Sequence, residues 1–269
     1  MATAAIPPRR ARILMLHGWT QNAALFTEKA AAFRRKLRDV ADLFFAEAPH
    51  TVAPGIASGR ENARAWWSIE GDAAPQEDSA AGESAAAESD VGTSPPPSEA
   101  GGIDSTPVFR RRFVGWDESR ALIAALWEHH GPFDGVAGFS QGAVAVHQLV
   151  YEAQGWADGT IAPPPACASI ADAPPRFAIL VCGFPSALAV RDATGGDRDI
   201  SPAALPLRLP SLHFVAQGDH TVPPPLQTEL AAAFVDPVVL TTEKGHAMPQ
   251  RAPELAAVAQ FVRERMRTS

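Results

Sequence analysis

Gly138-Phe139-Ser140-Gln141-Gly142 sets a serine hydroxyl between two glycines, in a G-x-S-x-G spacing found once in the chain. Val136 and Ala137 before it read as a strand, and Ala143 to Val146 after it read as a helix start. In that context the two glycines permit a sharp, strained turn that lifts the hydroxyl above the end of a sheet. A serine hydroxyl is a poor nucleophile at neutral pH. It needs a base to take its proton, and the base needs a third group to orient it.

In folds built around such a turn the acid follows the serine in the chain and the histidine comes last. Leu212 to Ala216 reads as a strand, and Asp219 lies just beyond it in Gln217-Gly218-Asp219. Val238 to Leu240 reads as the final strand, and Gly245-His246 follows it. Ser140, Asp219 and His246 are therefore the candidate nucleophile, orienting acid and base. Asp192, Asp197 and Asp199 fall in a Gly/Asp-rich loop with no strand directly before them. His220 adjoins Asp219, His213 sits inside a strand, and His129 and His130 end a helix, where the dipole favours them.

Attack on a carbonyl also needs donors for the developing oxyanion. The backbone N–H of Gln141, at the helix N-terminus, is one candidate. The second comes from the loop after the first strand, Leu16-His17-Gly18-Trp19, with the Trp19 amide as the candidate. The adjacent indoles Trp66 and Trp67, and Phe184 beyond the fourth strand, are candidates to line a substrate pocket. One indole is expected to face that pocket while the other packs inward. Ligands of open α/β sheets bind beyond the carboxyl ends of the strands, where Phe184 falls.

The elements that must hold these residues alternate. Strands are expected at Arg12–Leu16, Leu43–Ala46, Phe133–Phe139, Phe177–Cys182, Leu212–Ala216 and Pro237–Leu240. Helices are expected at Ala23–Leu37, Gly115–His130, Gly142–Gln154, Leu226–Phe234 and Leu255–Met266. The strands are apolar throughout, as in a parallel sheet covered on both faces. The pattern predicts an α/β-hydrolase fold: a doubly wound, six-stranded, mostly parallel sheet in one domain spanning 1–269. Residues 71–107 are rich in Ala, Ser, Gly, Glu and Pro. They are expected to be a disordered insertion, since they offer little apolar surface to offset ordering entropy.

Composition narrows the function classes. The formal net charge is −7, but the eight acids of 71–107 face no Lys or Arg in that segment, so the remainder carries +1. No broad basic field argues for nucleic acid. Cys167 and Cys182 have no CxxC spacing, so neither a zinc site nor a disulfide framework is read from the sequence. No apolar run approaches the roughly 20 residues of a membrane span. A cytoplasmic enzyme that uses no metal or cofactor is the expectation, and the sequence leaves its oligomeric state open.

Taken together, RILMLHGWTQN (12–22), RAWW (64–67), GPFDGVAGFSQGA (131–143), the FAILVCGF strand, PSLHFVAQGDHTVPP (210–224) and Gly245-His246 resemble the fungal and animal family of serine hydrolases. The resemblance covers nearly the whole chain except 71–107. It implies a compact α/β hydrolase of six parallel strands, lacking the early strands of larger relatives and acting on small carboxylic esters or thioesters without a cofactor. It places Ser140, Asp219 and His246 at the triad positions, and Trp19 and Gln141 at the oxyanion positions. A lactonase or peptidase on the same fold, or a binding protein that has kept the fold without catalysis, are the alternatives.

Overall fold

Six short segments with few polar residues pair side by side in the computed structural model, which describes residues 9–57, 59–69, 113–185, 190–191, 197–198 and 206–267. The expected insertion at 71–107 lies outside the described residues. The strands are β1 (Ala11–Leu16), β2 (Ala41–Ala46), β3 (Gly135–Phe139), β4 (Phe177–Val181), β5 (Ser211–Ala216) and β6 (Val238–Thr242). They form one sheet in the order β6-β5-β4-β3-β1-β2, and every neighbouring pair is parallel. The strand order reverses direction at β1/β3, which is where such sheets place a ligand crevice.

Helices connect the strands: α1 (Ala23–Lys29), α2 (Ala31–Leu37), α3 (Trp116–His130), α4 (Gln141–Ala157), α5 (Ala168–Asp172), α6 (Pro224–Ala232) and α7 (Ala252–Arg267). The single helix expected over Ala23–Leu37 is two, parted at Ala30. The side chain of Asn22 caps the first by accepting from Leu25 N–H, and Ala30 N–H closes it onto Phe26. The short α5 was not foreseen.

Two apolar clusters flank the sheet. One gathers Leu14, Leu16, Val136, Leu180, Trp66, Trp67, Trp127 and the face of α4 that meets the strands. The other gathers Ile13, Met15, Phe139, Ile179 and Phe214 with α1, α2 and α7. Alternate residues of β1 thus enter opposite clusters, as the two-residue period of a strand requires. Strands β1, β3, β4 and β5 are buried on both faces. Edge strand β6 departs from the apolar-and-covered expectation, with Val238 and Val239 exposed. Among the described residues, no helix is long and apolar enough to cross a membrane.

Candidate active site

The serine turn is built by backbone that leaves no room for side chains. Ser140 has φ 53° and ψ −121°, a conformation that non-glycine residues seldom adopt. Its N–H donates to Val181 O at 2.9 Å, which ties the turn to β4. A Cβ on Gly138 would lie 2.2 Å from Gly142 O. One on Gly142 would lie 2.1 Å from Leu16 O. Both contacts are with backbone, so only glycine fits on either side of the serine. The strain is held by β3 before it and α4 after it.

Loop 17–21 lies directly against this turn, since a Cβ on Gly18 would stand 3.2 Å from Ser140 Cβ. The loop is held by His17, which is fully buried. Its Nδ1 donates to Gly18 O at 2.8 Å, and its Nε2 accepts from Ala48 N–H at 3.1 Å. Burial lowers the His17 pKa, in keeping with the neutral tautomer those two bonds require. Gln21 closes the loop by accepting from Gly18 N–H and donating its own N–H to Gly18 O. Among the described residues, neither Trp19 N–H nor Gln141 N–H donates to a protein acceptor. The Gln141 amide follows the serine directly, and the Trp19 amide follows Gly18 in the loop packed against it.

Asp219, at the end of β5, is buried and richly bonded. Its Oδ1 accepts from Thr221 and Val222 N–H at 2.8 and 2.9 Å. Its Oδ2 accepts from His246 Nδ1 at 2.7 Å and from Gln227 Nε2 at 3.0 Å. Burial pushes the carboxyl pKa up, but the bonds from His246, Val222 and Thr221 and the histidine's charge outweigh it, so the group titrates below the usual carboxylate range. His246 lies in the loop after β6 and packs on Phe139, ring centroids 4.8 Å apart. That contact sets the imidazole beside the residue preceding Ser140. Among the described residues Ser140 Oγ makes no hydrogen bond to His246, and contacts of this kind commonly tighten only with substrate bound.

The chain thus bonds His246 to Asp219, packs the imidazole on Phe139 and sets the loop after β1 against Ser140, from the ends of β1, β3, β5 and β6. It does not bring the two indoles to an open wall. Trp66 and Trp67 are both fully buried, against the expectation that one would face a pocket. Trp66 Nε1 donates to His17 O at 2.8 Å. The Gln141 side chain accepts from Trp66 N–H and donates to Trp67 O, and Ser119 Oγ donates to Trp66 O. Trp67 meets Trp116 edge-on. These residues brace the 17–21 loop and the start of α4 from behind. Phe184 is half-buried just past β4, a position compatible with a pocket wall.

Gln227 escaped sequence reading. It is buried on α6, and its Oε1 accepts from Ala216 N–H while its Nε2 also donates to Val222 O. No motif marks it. The only signal was its place on the helix after Asp219. A cavity of about 440 Å³ lined by Arg10, Arg34, Arg35 and Arg38 lies at the amino ends of β1 and β2, the opposite end of the sheet from Ser140.

An arrangement of this kind is chemically suited to acyl transfer through a serine. The model of the serine hydrolase (FSH1) family matches residues 7–258. The human protein "Esterase OVCA2" is 32% identical over 266 residues, covering 94% of this chain and 96% of its own. "Esterase C25G4.2" of Caenorhabditis elegans is 29% identical over 257 residues, covering 95% and 94%. Among solved structures, acyl-protein thioesterase 2 of Zea mays superposes with a TM-score of 0.54 at 16% identity, covering 98% of this chain and 97% of its own. A carboxylesterase of Mesorhizobium loti gives 0.52 at 19%, covering 95% and 89%. The architecture is the α/β-hydrolase fold.

Proposed function

The chain belongs to the serine hydrolase (FSH1) family and is a hydrolase of the esterase type, and on that premise we propose that it cleaves small carboxylic esters or thioesters through an acyl-enzyme on Ser140. His246 takes the Ser140 proton as the hydroxyl oxygen attacks the carbonyl carbon. The amides of Trp19 and Gln141 hold the oxyanion. The tetrahedral intermediate collapses, and the leaving alcohol or thiol receives the proton from His246. Water, deprotonated by the same imidazole, then releases the acid and restores the serine. Asp219 keeps the Nδ1 proton in place and stabilises the imidazolium. The two half-reactions consume only substrate and water.

The observation that carries this reading is the 2.7 Å bond from His246 Nδ1 to a buried Asp219, on an imidazole packed beside the strained serine turn. It leaves Nε2 as the nitrogen available to the serine. The test is hydrolysis of p-nitrophenyl esters from acetate to palmitate, with matching acyl thioesters, by wild type and Ser140→Ala. Turnover and fluorophosphonate labelling by wild type alone is the expected result. Equal turnover by the variant would sink the mechanism. The chain-length optimum measures the acyl pocket, and the ester-to-thioester ratio decides the leaving group.

A further inference from the structure

The proposed mechanism leaves one reactive side chain at the site unused. Cys182 follows β4, has φ 51°, and is 1% exposed. Its thiol makes a long contact, 3.8 Å, to Ala247 O and also interacts with the Asp219 carboxylate. Its sulfur, a carboxylate oxygen of Asp219 and an imidazole nitrogen of His246 all lie within 4.8 Å of one another. The three residues are far apart in the chain and arrive from the ends of β4, β5 and β6. Sequence spacing showed no zinc signature because the ligands converge only in the fold.

We propose that Cys182, Asp219 and His246 form an inhibitory binding site for a thiophilic divalent cation of the Zn²⁺ or Cd²⁺ class; the inhibition, though not the binding, rests on the serine hydrolase reading. One thiolate, one imidazole and one carboxylate make a donor set suited to these ions. Metal–ligand legs of about 2.0 to 2.3 Å ask for ligand atoms about 3.3 to 3.7 Å apart. Asp219 Oδ2 and His246 Nδ1, now 2.7 Å apart, must open slightly, and the sulfur must close in by a side-chain rotation. His246 is 20% exposed, so the fourth position opens to solvent, as in three-ligand zinc sites.

The balance is simple. The thiol of Cys182 loses its proton to solvent, the proton of His246 moves from Nδ1 to Nε2 so that a neutral imidazole ligates, and metal–sulfur, metal–nitrogen and metal–oxygen bonds form. Nothing is oxidised or reduced. The bond from His246 to Asp219 is lost, and a cation sits on the imidazole that must accept the serine proton. A divalent cation supplies the positive charge that a buried thiolate beside the Asp219 carboxylate requires.

The experiment titrates Zn²⁺ against ester hydrolysis by wild type, Cys182→Ser, Cys182→Ala and Cys167→Ser, followed by chelator. Cys167 is buried beside Arg120 and Glu152 and serves as the thiol control. Wild type and Cys167→Ser are expected to be inhibited together and restored by chelator, while both Cys182 variants need about tenfold more Zn²⁺ or greater. Cd²⁺ should add an ultraviolet thiolate-to-metal band to wild type and Cys167→Ser but to neither Cys182 variant. Equal inhibition across the set would overturn the site, because the metal would then be held without the thiol. The absorption band needs no turnover. A protein that shows it yet hydrolyses nothing keeps the metal site and loses the proposed cleavage of esters and thioesters through Ser140.

Discussion

Gln227 donates through Nε2 to the same oxygen of Asp219, Oδ2, that accepts the Nδ1 proton of His246, at 3.0 and 2.7 Å. The carboxylate is therefore fixed by α6 as well as by its own loop. Gln227 also ties Ala216 N–H and Val222 O, on either side of Asp219, to one buried amide.

Gln227→Leu should lower kcat with little change in KM, because it loosens the acid without touching substrate. It should also cost about 1–3 kcal/mol of stability, since Ala216 N–H and Val222 O lose a buried partner. Steady-state kinetics with urea unfolding checks both. A variant with a changed KM and an unchanged kcat would refute the positioning role.

The glycine pair around the serine predicts a sharp contrast. Gly142→Ala drives a methyl into Leu16 O, a backbone atom that cannot rotate away. It should cost about 3 kcal/mol or more and lower kcat/KM by about 100-fold or more through misplacement of the serine. Gly55→Ala, where nothing lies within 4 Å of the added carbon, should be neutral in both assays.

The buried indoles and Phe184 separate core from pocket. Trp66→Ala should destabilise the protein by about 3–5 kcal/mol and depress activity on every ester alike. Phe184→Ala should leave the unfolding midpoint almost unchanged and shift the preferred acyl length. The p-nitrophenyl series, run beside thermal melts, reads both. A shifted chain-length optimum in a stable Trp66 variant would return that indole to the pocket.

Acid should weaken the fold before it unfolds it. His147 and His213 flank Phe234, and burial lowers their pKa values to about 4 and about 3. Both stay neutral in the fold where unfolded imidazoles, near 6.5, take up protons. Their contribution is full above about pH 6.5 and falls as the pH drops toward 4. For His147 the loss by pH 4 is about 3 kcal/mol. Asp219, titrating low in the fold, acts in the same direction. Glu152, raised by burial, opposes them. Urea midpoints between pH 7.5 and 4 should fall steadily. His147→Leu should flatten that slope, because it removes a titrating imidazole, and should raise stability across the range, because among the described residues the buried Nδ1 has no hydrogen-bond partner.

What could be read in the sequence was local. The serine turn was legible because its glycines, its strand and its helix are contiguous. Asp219 and His246 were legible because each follows a strand signal at a position the fold prescribes. Gln227 and Cys182 were not, because their significance arises from contacts across 8 to 64 residues of chain that no spacing encodes. Trp66 and Trp67 misled for a related reason. Adjacent side chains on an extended segment point opposite ways, and whether both directions are covered depends on Trp116, Ser119 and Gln141, which tertiary packing supplies. The break at Ala30 was equally invisible, since apolar periodicity runs through it.

Helix α4 begins directly after Ser140, the proposed nucleophile, and has almost no solvent face: from Gln141 to Val150 every residue is buried. The serine is thereby insulated. Substitutions on the solvent side of the molecule touch little of this helix, so the pose of the serine rests on buried packing and on the loops bonded to the start of α4. Variation in what the enzyme accepts must then be written in the loops beyond the strand ends, on a nucleophile that does not move to meet them.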